Sequence, residues 1–197
     1  MTRFWTSDLH LGHVNIIRYC HGPFADVDDM NEGLIQRWNE TVAATDEVWV
    51  LGDFALGQIA HTLPLAHRLN GRKVLVTGNH DRCWGAGWHS TKRWVEGYRD
   101  AGFDQVLQGA VPIRLGPYDA LASHLPYQGD SHDDDRFVAQ RRVDHGQVLL
   151  HGHVHDTWKI NGRQINVGTD VWDYRPVNDD TILEEYVRSE SSFRENR

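Results

Sequence analysis

Val74-Leu75-Val76-Thr77-Gly78-Asn79-His80-Asp81 decides how this chain is read: a buried apolar run passes straight into a glycine and three side chains that can bind cations or carry protons. Three other runs have the same form. Phe4-Trp5-Thr6 leads to Asp8-Leu9-His10, Val48-Trp49-Val50-Leu51 to Gly52-Asp53, and Val148-Leu149-Leu150 to Gly152-His153-Val154-His155. His124 follows a further short run, Leu121-Ala122-Ser123. Open α/β sheets gather ligands at the carboxyl ends of their strands, so these segments predict one shared site.

Between the runs the pattern is helical. Acidic Asp26, Asp28 and Asp29 suit a helix start, and Met30, Leu34, Ile35, Trp38 and Val42 recur at helical spacing, predicting a helix from about Asp28 to Ala43. Ile59, Leu63, Ala66 and Leu69 predict a second helical stretch that Pro64 kinks or delays, with His61 and His67 outward. A third helix is expected over Ser90 to Ala101, capped by Ser90, after a loop carrying Trp84 and Trp88. Those tryptophans suit packing, or stacking on an aromatic leaving group. From Gln105 the pattern becomes three short strands, Gln105–Leu107, Ala110–Leu115 and Ala120–Ser123, whose tight turns predict antiparallel pairing and hence a mixed sheet system. A last strand is expected at Gln164–Gly168 and an amphipathic segment at Thr181–Val187. Residues 1–188 read as one domain and 189–197 as a disordered polar tail.

Composition narrows the function. A net charge of −8 disfavours a long nucleic acid, whose binding needs clustered Lys and Arg. Arg136, Arg141 and Arg142 form the only compact basic group, suited to a phosphate clamp or plain surface. The acidic run Asp130, Asp133, Asp134 and Asp135 reads as a solvated loop or a lid. There is no apolar stretch of membrane-spanning length and no signal-like start, so a cytoplasmic protein without a membrane partner is expected. Cys20 and Cys83, in no metal-binding spacing, are expected to be free.

Asp8 and His10, two apart on extended backbone, would point to one side and could chelate one ion; Asp8 could alternatively cap a turn. His13, Asn15 and Arg18 could reach a bound substrate, or belong to a solvated short helix packed through Ile16 and Ile17. Taken in order, D-x-H, G-D, G-N-H-D, a lone His and G-H-x-H resemble the calcineurin-like metallophosphoesterase family from Asp8 to His155.

The resemblance implies an α/β fold in which two mixed sheets pack face to face with helices outside, a four-layer αββα arrangement. It implies two divalent metal ions, one held by Asp8, His10, Asp53 and His155 and the other by Asp53, Asn79, His124 and His153. This donor set, without thiolate, suits Mn²⁺ first and also Fe²⁺, Zn²⁺, Co²⁺ or Ni²⁺. The implied activity is phosphoester hydrolysis by a metal-bridging hydroxide, with His80 as general acid and Asp81 orienting its ring and raising its pKa. The substrate would be a small phosphodiester, nucleotide-like or cyclic; a phosphomonoesterase and a non-catalytic metal-binding scaffold are the alternatives. A scaffold has no use for His80. An amidohydrolase would need a barrel of about 250 residues, longer than this chain.

Overall fold

The computed structural model describes residues 1–85 and 91–195. In the first sheet β1 (Arg3–Thr6), β2 (Glu47–Val50), β3 (Arg72–Val76) and β4 (Gln105–Leu107) run parallel. β10 (Val177–Asn178) adds antiparallel to β1, giving the order β10-β1-β2-β3-β4. The second sheet has the order β5-β6-β7-β9-β8. Its centre is parallel: β6 (Tyr118–Ala122), β7 (Val148–His151) and β9 (Gln164–Asn166). β5 (Val111–Leu115) and β8 (Ile160–Asn161) are antiparallel edges. The fold is therefore the expected α/β type, two mixed five-stranded sheets flanked by helices.

Alternation along the strands builds two cores. Phe4, Val48, Val50 and Leu75 face outward onto the helices, while Trp5, Leu51 and Val76 pack against Ala122, Leu150 and Ile165 of the second sheet. The helices are α1 (Ile16–Tyr19), α2 (Val27–Thr41), α3 (Ile59–Thr62), α4 (Thr91–Asp100) and α5 (Asp179–Glu195). Asp26 caps α2 by accepting from the Asp29 amide at 2.9 Å, and the stripe Met30, Leu34, Ile35 and Trp38 is buried. At Val42 the backbone turns extended, which ends the helix there. After α3 the chain tightens into a 3₁₀ turn over Leu63–Arg68 with Pro64 near its start; His61 and His67 are exposed.

Two expectations change. β4 does not pair with the strands that follow it: the chain reaches it through α4 and lays it parallel to β3. Only β5 and β6 form the expected hairpin, so Gly109 (φ +67°) lies where the chain leaves one sheet for the other. The polar tail expected from 189 is helical as far as Glu195, where α5 ends. Asn178 accepts from the Thr181 amide at its start, and Ile182 and Tyr186 are anchored in the inter-sheet core. One-turn contacts, Arg188 with Glu185 at 3.0 Å and Tyr186 with Glu190 at 3.2 Å, carry it onward. The expected Ser90 cap and Trp88 lie outside the described residues. Cys20 and Cys83 are buried and unpaired. Among the described residues no helix is long and apolar enough to cross a membrane.

Candidate functional site

The loops leaving β1 and β2 stay paired beyond their strands. The Asp8 amide donates to Gly52 O at 3.1 Å, His10 to Asp53 O at 3.0 Å and Leu11 to Phe54 O at 3.0 Å. The Thr169 amide donates to Ser7 O at 3.0 Å, which draws the loop after β9 to the same end. Strand ends of both sheets thus meet over a small volume.

Glycines allow the approach. A Cβ on Gly78 would meet Asp53 Oδ1 and lie 2.7 Å from the Asp53 amide nitrogen, and one on Gly152 would meet Ser7 Oγ and Asp8 Oδ2. The polar residues bend with them. Asp8 (φ 56°), His10 (46°), Asp53 (53°), His153 (72°) and His155 (51°) are all left-handed, a region where Asp and His are more tolerated than branched residues. The extended chelate expected of Asp8 and His10 is therefore replaced by a turned one, with His10 Nε2 4.0 Å from Asp8 Oδ1.

Asp53 occupies the middle. Its Oδ2 lies 3.6 Å from His10 Nε2, 3.5 Å from His124 Nε2 and 4.0 Å from His80 Nε2. Among the described residues, two groups drawn from the expected ligands have donor atoms close enough to hold an ion, Asp8 with His10 and His155, and Asp8 with Asp53 and His124, so that Asp8 rather than Asp53 is common to both. Asn79 Oδ1 lies 2.9 Å from His124 Nε2, which adds the amide to the second group. His153 is beside it, its ring 5.3 Å from that of His124, but its Nε2 faces Asp130 at 3.0 Å. Of the expected second set, Asp53, Asn79 and His124 lie together, while His153 is turned to a carboxylate.

Burial sets the electrostatics. It pushes the Asp8 carboxyl up to about 6 and raises Asp53 as well. It lowers His10 and His124, and takes His153 down to about 3. Both ring nitrogens of His10 are buried without a hydrogen-bond partner among the described residues. Buried polar groups are nearly always satisfied. Crowded carboxylates short of positive charge and an orphaned imidazole are the donor set a divalent cation would complete, so the residues present fit the implied metals.

Asp81 differs from expectation. Its Oδ2 accepts from the amides of Asp53 (3.0 Å) and Gly78 (2.8 Å), and its Oδ1 from the Phe54 amide (3.2 Å) and Tyr98 hydroxyl (3.1 Å). Both oxygens are committed to the loop backbone, so Asp81 shapes the site rather than orienting the His80 ring. Accordingly the His80 pKa is lowered, by burial and by His155 and Arg136, instead of raised. His80 donates its own amide to Asp53 Oδ1 at 2.8 Å and leaves 45% of its side chain exposed. It borders a cavity of about 270 Å³ with Asn79, Arg82 and Trp84. His13 lies beside the cluster, its ring 5.4 Å from that of His10; Asn15 and Arg18 are exposed, with the Arg18 guanidinium over the Tyr19 ring.

Two carboxylates were not singled out in the sequence. Asp130 is buried and binds Arg136 at 2.7 Å and Arg141 at 3.5 Å as well as His153, which sets it apart from the exposed Asp133, Asp134 and Asp135 and ties two of the three arginines to it. Asp170 accepts from or shares a proton with His155 Nδ1 at 3.0 Å. Burial pulls the His155 pKa down, but Asp170, Cys20 and Asp8 together hold it well above its usual value. Asp170 follows the strand Gln164–Asn166 almost directly, and the strand-end rule that found the other residues applies to it equally.

No family model matches the chain. The gene 66 protein of Mycobacterium phage L5 is 35% identical to it over 191 residues, spanning 87% of this chain and 88% of its own. The gene 66 protein of Mycobacterium phage D29 is 38% identical over 186 residues, spanning 87% of this chain and 90% of its own. Among solved structures, the protein of unknown function AQ665 from Aquifex aeolicus superposes with a TM-score of 0.68 at 24% identity, over 93% of this chain and 98% of that one. That likeness extends to the fold.

Proposed function

The chain belongs to the family of the mycobacteriophage gene 66 proteins, and we propose that it is a divalent-metal-dependent phosphoesterase of the calcineurin-like kind. The observation that carries this reading is the meeting of Asp8, His10, Asp53, His124 and His155 at ion-binding distances, with both nitrogens of a buried His10 left unpaired. Asp8, His10, Asp53 and His155 would hold one ion, and Asp53, Asn79, His124 and His153 the other, with Mn²⁺ the first choice. Bound there, divalent ions would lower the pKa of water and neutralise phosphoryl oxygens.

The chain's own residues supply the rest. Asp53, within 3.6 Å of His10 and 3.5 Å of His124, would be the carboxylate shared by the two ions, with Asp8 close to both. His80, half exposed beside the cavity, is the group that can protonate a departing alkoxide. Burial, His155 and Arg136 lower its pKa, and an anionic ester beside it would favour the imidazolium. The cavity has room for an organic group of the ester, and a proton donor such as His80 is most useful to a poor alkoxide leaving group, which is the ground for preferring a diester, nucleotide-like or cyclic, over a monoester. His13, and beyond it Asn15 and Arg18, would meet the outer part of the substrate. Asp81 keeps Gly78 to Asp81 folded against Asp53 and Phe54.

The test is hydrolysis of bis-p-nitrophenyl phosphate and p-nitrophenyl phosphate with added Mn²⁺ by the wild type and Asp53→Asn. Diester turnover that disappears in the variant is expected. Turnover that survives Asp53→Asn refutes the assignment of the centre, and faster monoester cleavage refutes the diester preference.

A further inference from the structure

One cluster adjoins the proposed centre and shares only His155 with it. Cys20, at the end of α1, has its sulfur close to His155 and Asp170, and the donor atoms of all three lie within 4.8 Å of one another. Cys20 and Asp170 also line a cavity of about 10 Å³, together with Asp8, Ile16, Phe24 and Leu34. That volume is about one water-sized sphere, too small for an organic ligand and sufficient for a single ion or water.

We propose that Cys20, His155 and Asp170 form a separate site for a thiophilic divalent cation, of the Zn²⁺ or Cd²⁺ class. The donor chemistry separates it from the neighbouring centre. The metal ligands proposed there are carboxylates, imidazoles and an amide, whereas a cysteine sulfur selects softer ions. One sulfur, one imidazole nitrogen and one carboxylate oxygen make three protein ligands, and a tetrahedral ion completes its shell with water. Binding breaks the Cys20 S–H bond, forms the sulfur–metal bond and releases the proton to solvent. The proton shared between His155 Nδ1 and Asp170 is displaced in the same way.

His155 joins the two sites. Its Nδ1 faces Asp170, which leaves Nε2 as the nitrogen for the ion it would share with Asp8 and His10. A thiophilic ion at Cys20 therefore takes Nδ1 and, with an ion on Nε2, makes His155 a bridging imidazolate whose last N–H proton goes to solvent. The binding claim does not depend on hydrolysis, and its readout needs no substrate.

The experiment is titration of the full chain with Cd²⁺ in saturating Mn²⁺, following the ultraviolet thiolate-to-cadmium charge-transfer band. The expected result is a band that saturates at one Cd²⁺ per chain in the wild type and in Cys83→Ser, and is lost in Cys20→Ser. Asp170→Asn, which keeps the thiol, should shift the titration to higher Cd²⁺. Thermal melts of each variant distinguish loss of the site from loss of the fold. The proposal is overturned by absence of the band in the wild type, by its survival in Cys20→Ser, or by an unchanged titration in Asp170→Asn.

Discussion

Gly52→Ala tests the geometry of the site without assuming what the site does. Gly52 adopts φ +88°, and a Cβ there would lie 2.5 Å from Gly78 Cα, 2.6 Å from Gly78 N and 2.7 Å from His124 Nδ1. Two of these neighbours are backbone, so the clash cannot be relieved by turning a side chain. The positive φ costs about 1 kcal/mol and the overpacking about 2 kcal/mol more. For a domain of this size about 3 kcal/mol lowers Tm by roughly 6–12 °C. Gly146→Ala is the matched control: its φ is +93°, yet a Cβ there meets nothing within 4 Å. It bears only the backbone strain, about 1 kcal/mol or roughly 2–4 °C. Both changes stiffen the unfolded chain alike, so that contribution cancels between them. Calorimetric melts of the two variants and the wild type give the comparison. Equal Tm losses would show that the loops after β2 and β3 are not in the contact described, and the convergence of strand ends would fail with them.

His80→Ala should slow diesters with poor alkoxide leaving groups by about 100-fold, while p-nitrophenyl esters, which need little protonation, lose far less. Paired steady-state kinetics measure this, and an equal loss on both substrates removes the proton-donor role. Asp46 accepts from the amides of Thr2 at 2.7 Å and Ala43 at 3.0 Å, and these bonds hold its carboxyl below the usual range. A folded pKa below the unfolded one stabilises above the unfolded value, about 3.9, and the gain is lost as pH falls through the folded value. The stability gap between wild type and Asp46→Asn should therefore be full at neutral pH and close in acid, as read from urea unfolding at several pH values; a gap that widens in acid contradicts it.

The sequence was most informative where a strand end and its chemistry adjoin. Val74 to Asp81, Trp5 to His10 and Leu149 to His155 each keep the strand and its polar end within one short segment, so the fold position and the candidate residues are read together. Pairing was less legible where it depends on elements far apart. Whether Gln105–Leu107 joins β3 or the following hairpin turns on α4 packing Tyr98 and Ala101 against the first sheet, and no local turn signal reports that. The tail misled for a related reason. Ser189 to Glu195 is polar in itself, and its helix is inherited from Ile182 and Tyr186, anchored earlier in the same element.

In the site, what could not be read was conformation and charge partnership. Five of the seven expected ligands adopt left-handed backbone, at a cost of order 1 kcal/mol each, and no residue pattern announces such a turn in Asp or His. The turn is what lets Asp8 and Asp53 face inward while the Asp8 amide donates to Gly52 O and the Asp53 carbonyl accepts from the His10 amide. It also explains why Asp81 was assigned to the wrong neighbour: on extended backbone it would lie beside His80, but the folded G-N-H-D turn carries its carboxylate back to the amides of Gly78, Asp53 and Phe54. Asp130 was hidden by its company, since only its position opposite His153 separates it from Asp133, Asp134 and Asp135. Strain of this kind persists only where surrounding contacts over-determine it. Here those contacts are the Asp81 carboxylate, the Gly52–Gly78 approach and the Ser7–Thr169 link between sheets, none of which belongs to the expected metal ligands.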